Sequence, residues 1–151
     1  MYTKGRTTDE ELENWAKKLH VPLNFIGFKD ELPKMPKAGG YIINLASSHD
    51  GSGGTHWVGA YLAPNKLAFI FDSYGAPPLD EIMDLAKQWT RNLKHIFINP
   101  YDIQDIDGNF CGQYVLNFLA HIMRDPSRDN FIKFLKQFKL FRVQKNKDTN
   151  I

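Results

Sequence analysis

An α+β fold is expected from three observations. A capped amphipathic helix opens the chain, apolar segments of strand length separated by short turns fill its middle, and helical stripes dominate after residue 110. Strands grouped apart from helices favour α+β over an alternating parallel architecture. The expected arrangement is a central, mostly antiparallel sheet packed against helices.

Thr8-Asp9-Glu10-Glu11 is a helix start, with Thr7 or Thr8 as cap and acids in the first turn. Leu12, Trp15, Ala16 and Leu19 recur at helical spacing, and Pro22 stops the helix after His20. Leu23 to Phe28 is apolar without alternation and is read as a loop or a short edge segment. Pro33, Pro36 and Gly39-Gly40 mark a turn-rich connector. Tyr41 to Leu45 is a buried strand, Ser47 to Gly54 a Gly/Ser loop, and His56 to Leu62 the next strand. Ala63-Pro64-Asn65-Lys66 is a hairpin turn leading into Leu67 to Phe71. Tyr74 to Pro78 is a loop. Ile82, Leu85, Ala86 and Trp89 make a helix of Leu79 to Leu93, and His95 to Asn99 is a fourth strand. Pro100 to Phe110 is a polar loop. Tyr114, Val115, Phe118, Leu119, Ile122 and Met123 place an apolar stripe on a helix from Cys111 to Met123. Pro126 breaks it, and Ser127 or Asp129 caps a last helix to Phe141.

The 151 residues suffice for one domain with a real core and are too few for two of ordinary size, so 1–151 is read as a single domain. No apolar run approaches the ~18 residues of a membrane span. The polar N-terminus lacks a signal-peptide core, and one cysteine fits a reducing, intracellular compartment. A net charge of +2 is too balanced to argue nucleic-acid binding. The seven basic residues between Arg128 and Lys147, against the single acid Asp129, could still touch an anionic partner. A solvated helix face is the plainer reading of them.

Cys111 is the only thiol, so an intramolecular disulfide and a cysteine zinc site are both excluded. The five histidines show no metal-ligand spacing, and no metal or cofactor is expected. If Cys111 has chemistry, it is that of a thiolate, which a helix N-terminus favours. Nucleophilic thiol chemistry also needs a base within reach and a group to hold that base. His56 opens one strand of the hairpin and Asp72 ends the other. A turn centred on Pro64-Asn65 would set them nearly opposite one another. Taken singly, each has a plainer reading, Cys111 as a small buried side chain and the others as ordinary strand ends.

Gly53-Gly54-Thr55-His56-Trp57, Phe71-Asp72-Ser73-Tyr74-Gly75, and Gln104 followed seven positions later by Cys111-Gly112 resemble the adenovirus-type maturation cysteine proteases (adenain) and their virophage and transposon relatives. The wider clan includes SUMO- and NEDD8-deconjugating proteases. Phe25 to Asp30 and Ile42-Ile43-Asn44 extend the resemblance, which covers about residues 23 to 123. It implies a papain-like cysteine protease fold in permuted order. By position it implies His56 as general base, Asp72 as its orienting acid, Cys111 as nucleophile and Gln104 as oxyanion donor. The backbone N–H of Cys111 would be a second donor. Gly54, Trp57 and Gly112 would border the substrate.

The resemblance implies a polypeptide substrate among viral capsid or core precursors, cut after small residues such as glycine, inside the host cell and in the virion. The adenoviral relatives are activated by a disulfide-linked peptide and by DNA. A disulfide at the sole thiol would destroy the site, so no disulfide-linked activator is expected. Any DNA contact would be weak and fall on Lys133, Lys136, Lys139 and Arg142. Two alternatives stay open. One is a deconjugase cutting after the Gly-Gly tail of a ubiquitin-like protein. The other is an inactive scaffold or DNA-binding module on the same fold.

Overall fold

The computed structural model describes residues 8–46, 56–99 and 111–137. In chain order these form α1 (Asp9–Lys18), β1 (Leu23–Phe28), β2 (Gly39–Asn44), β3 (Trp57–Leu62), β4 (Ala68–Phe71), α2 (Asp80–Thr90), β5 (Ile96–Ile98) and α3 (Cys111–Arg124). Residues 128–137 are a further helix, α4. Thr8 caps α1 through a reciprocal capping box with Glu11. The Ser127 hydroxyl accepts the Asn130 N–H at 3.1 Å and so caps α4.

The fold is α+β, with one five-stranded sheet in the order β1-β2-β3-β4-β5. The sheet is mixed rather than mostly antiparallel. β2–β3 and β3–β4 are antiparallel, whereas β1–β2 and β4–β5 are parallel. Helix α2 supplies the crossover that parallel β4 and β5 require. Leu23 to Phe28, read above as a loop or edge segment, is a full edge strand in parallel register with β2. Its apolar run does not alternate because most of its residues are partly covered on both faces.

Side chains alternate between two cores. Trp57, Tyr61, Phe69 and Phe71 pack with α1, α3 and α4, through Leu12, Val115, Phe118, Leu119, Phe131 and Phe134. Val58, Ala60, Leu62, Ala68 and Ile70 pack with Ile82, Leu85 and Ala86 of α2. The sheet is therefore the middle layer of three. Phe71 stacks on Phe118 at 5.2 Å between ring centres and meets Phe134 edge-on at 5.4 Å. These contacts fasten the end of β4 to the helix that Cys111 begins.

Gly59 sets how closely that helix lies on the sheet. A Cβ there would stand 2.8 Å from Val115 Cγ1 and 3.1 Å from Phe118 Cδ2. Val115 is β-branched and has little freedom to yield. Gly59→Ala is therefore expected to destabilise the protein by about 1–3 kcal/mol, although alanine ordinarily stabilises a strand relative to glycine. Urea unfolding checks this; an unchanged or raised midpoint would mean that α3 is not seated on Gly59.

The hairpin register differs from expectation. Gly59 pairs with Phe71, Ala60 with Ile70, Tyr61 with Phe69 and Leu62 with Ala68. Ala63 N–H donates to Leu67 O at 2.9 Å, so the loop is the three residues Pro64, Asn65 and Lys66. Lys66 takes a left-handed φ of 69°, the usual end of a three-residue hairpin loop. The pairing ends at Gly59 and Phe71, and one step further out the same register would set Val58, not His56, opposite Asp72.

Candidate active site

The site forms where the central hairpin opens, at the N-terminus of α3. His56 and Asp72 are diagonal neighbours rather than directly opposed, and their side chains close the remaining distance. His56 Nε2 lies 2.5 Å from Asp72 Oδ1, and both residues are buried. Leu45 N–H donates to His56 O at 3.0 Å, which prolongs the β2–β3 ladder and fixes the histidine backbone.

Asp72 is held by Tyr74, Gly75 and Asn99. Its Oδ1 also accepts the Tyr74 N–H at 2.9 Å, a local turn typical of aspartate. Gly75 N–H closes the turn onto Asp72 O at 2.8 Å, with Gly75 at a left-handed φ of 69°. From the end of β5, Asn99 clamps the Asp72 backbone twice. Its Oδ1 accepts Asp72 N–H at 2.9 Å, and its Nδ2 donates to Asp72 O at 2.6 Å. Asn99 is fully buried. An amide ending the expected strand His95 to Asn99 is its only sequence signal.

Cys111 is buried at the first position of α3, and its Sγ accepts the Trp57 backbone N–H at 3.3 Å. That contact joins the thiol to the residue next to His56. Gly112 follows in the first helical turn and is also buried. Trp57 lies in the α3-side core at 5% exposure. Gly54 and Gln104 lie outside the described residues.

The His56 ring is strongly biased toward its charged form. Burial works to lower its pKa. The hydrogen-bonded Asp72 carboxylate, with the nearby Cys111 sulfur as a second contributor, overcomes burial and raises it to about 9. Among the described residues, His56 Nδ1 is buried with no partner in hydrogen-bond geometry. Cys111 is thus a close neighbour of the ring rather than an aligned acceptor. Unliganded thiol–imidazole contacts are often loose in this way. Tyr74 stacks over the imidazole with ring centres 4.0 Å apart and planes 18° from parallel, while staying 44% exposed.

Chemically, the arrangement couples a thiol at a helix start to an imidazole oriented by a carboxylate. The first N–H groups of α3 have no carbonyl of their own helix to bond and face the same end. Among the described residues no cluster of His, Cys, Asp and Glu could hold a metal ion. No described helix is long and apolar enough to cross a membrane. Lys133 and Lys136 are exposed on α4, and Lys139 and Arg142 lie outside the described residues.

No family model matches the sequence. A 49-residue stretch is 37% identical to trans-4-hydroxycyclohexanecarboxylate dehydrogenase of Sinomonas cyclohexanicum, covering 31% of this chain and 19% of that enzyme. Among solved structures, the chain is similar to the ASFV pS273R protease, with a TM-score of 0.45 and 18% identity over 86% of this chain and 62% of that one. It is also similar to the central domain of the uncharacterized Lpg1148 protein of Legionella pneumophila, with a TM-score of 0.44 and 16% identity over 96% of both chains. The chain spans less than two thirds of the dehydrogenase and of the ASFV protease. These likenesses are too short or too distant to carry an activity over.

Proposed function

We propose that this chain is a cysteine peptidase in which Cys111 is the nucleophile, His56 the general base and acid, and Asp72 the group that orients and charges the imidazole. One observation carries the reading. Three residues far apart in sequence converge so that a buried imidazole is bonded to a carboxylate at one nitrogen and neighbours the only thiol.

In this reading the Cys111 proton passes to His56. The thiolate attacks the substrate carbonyl carbon, and the carbonyl electron pair moves onto oxygen. The Cys111 N–H and the Gln104 side-chain amide stabilise that oxyanion. When the C–N bond breaks, His56 gives its proton to the departing amine, leaving a thioester. Water activated by neutral His56 then releases the carboxylic acid and restores the thiol.

The substrate class rests on the sequence resemblance. It is a viral precursor polypeptide cut after a small residue, glycine foremost. The test is a panel of precursor-derived peptides with glycine before the cut, set against ubiquitin-like proteins extended beyond their Gly-Gly tail. Cleavage of the peptides is expected, and preference for the ubiquitin-like substrates would make the enzyme a deconjugase. Absence of all cleavage, together with failure of iodoacetamide to label Cys111 selectively near neutral pH, would overturn the peptidase reading. On the same panel Gln104→Ala is expected to lower turnover by roughly 10²-fold or more. Unchanged turnover would remove Gln104 from the oxyanion site.

A further inference from the structure

Tyr74 touches both partners of the His56–Asp72 pair, through different parts of the residue. Its backbone N–H donates to the carboxylate, and its ring lies flat on the imidazole. The turn that follows β4 explains why one residue does both. Tyr74 sits two positions beyond Asp72, where the local turn delivers its N–H to Oδ1. The same turn, closed by Gly75 N–H on Asp72 O, folds the chain back so that the Tyr74 ring lies over His56. We propose that Tyr74 is a positioning residue for the thiol–imidazole chemistry, its π face holding the His56 ring in plane and favouring the imidazolium.

The proposal rests on the peptidase reading for its consequence in catalysis, but not for its physical content. A cation against an aromatic face is stabilised by the negative centre of the ring, more so when water is kept away. Tyr74 keeps water from that face of His56 while leaving Nδ1 to act. Burial by itself opposes the charged ring. The stacked π face supplies part of what offsets that opposition, beside the Asp72 carboxylate. Simple coverage of the ring predicts the contrary behaviour, since an apolar cover without a π face only removes water.

Two substitutions separate these roles. Tyr74→Phe keeps the stacked face and removes only the hydroxyl. Tyr74→Leu keeps an apolar cover and removes the π face. Tyr74→Ala is less informative, because it admits water, which raises the imidazole pKa as loss of the π face lowers it. His56 is titrated by NMR in the full chain carrying Cys111→Ala, so that the ring is read apart from the thiol. The Phe variant should match the parent, and the Leu variant should fall by about half a pKa unit or more. With Cys111 intact, the pH profile of iodoacetamide labelling should shift in the Leu variant and not in the Phe variant. Equal titrations and equal profiles for both would overturn the proposal and reduce Tyr74 to a cover. The NMR titration needs no peptide cleavage, so it decides the matter even if no substrate is ever cut. An active enzyme with an unmoved His56 would sink this proposal and leave the peptidase reading standing.

Discussion

Cys111→Ala is expected to abolish peptide cleavage, with kcat/KM falling by on the order of 10⁶-fold or to the limit of detection. No other thiol exists in the chain to substitute for it. The size of the loss follows from how nucleophile and base act together. Once the sulfur is gone, His56 has no thiol to deprotonate, and the oxyanion donors have no tetrahedral adduct to hold. What remains is substrate binding. The fold should survive. Alanine is a better helix former than cysteine at the same position, and the side chain lost is small. The visible structural cost is the sulfur's contact with Trp57 N–H, a weak hydrogen bond. Circular dichroism and urea unfolding should therefore show native-like Cys111→Ala protein with no turnover. Cleavage retained by this variant would locate the chemistry elsewhere.

Much of this site can be read in the sequence because its parts lie on strongly patterned elements. The capped start of α1 and the apolar stripe of α3 follow helical periodicity, and the hairpin is bounded by an evident turn. His56, Asp72 and Cys111 stand at the ends of those elements, where function commonly collects. The less legible features depend on partners remote in sequence. β1 is apolar without alternation, and it becomes a strand only through parallel pairing with β2, which local periodicity cannot reveal. Hairpin register turned on whether Lys66 adopts a left-handed conformation, a choice that a lysine does not advertise. The shift moved His56 out of direct opposition to Asp72. Gly59 reads as a flaw in a strand until α3 is laid across it. Asn99 reads as a strand end until its amide is seen clasping the Asp72 backbone. The common thread is that sequence shows which residues carry chemistry more readily than which residues hold them still.

The holding of His56 makes the second large effect fall on Asp72. Asp72→Leu is expected to cost about 3 kcal/mol of stability near pH 6, because it leaves a buried imidazole without its carboxylate. It should also lower turnover by roughly 10²- to 10⁴-fold, since the ring loses both its orientation and the charge that favours imidazolium. The pH dependence gives a sharper signature. His56 is raised from 6.5 to about 9 in the folded protein. A raised pKa means the folded state holds its proton more tightly than the unfolded chain does. The resulting stabilisation is fully present below about pH 6.5 and is lost as pH rises through about 9. Parent protein should therefore lose stability across that window, and Asp72→Leu, weaker at the outset, should be nearly flat over the same range. Asp72→Asn is the informative intermediate. Its amide oxygen can still accept from Tyr74 N–H and His56 Nε2–H, so most of the geometry survives while the charge does not. It should keep more of the stability and more of the turnover than Asp72→Leu, yet lose most of the pH slope. Urea unfolding at pH 6 and pH 9 for the three proteins measures this. If Asp72→Asn kept the full parental slope, the carboxylate charge would not be what holds the proton on His56.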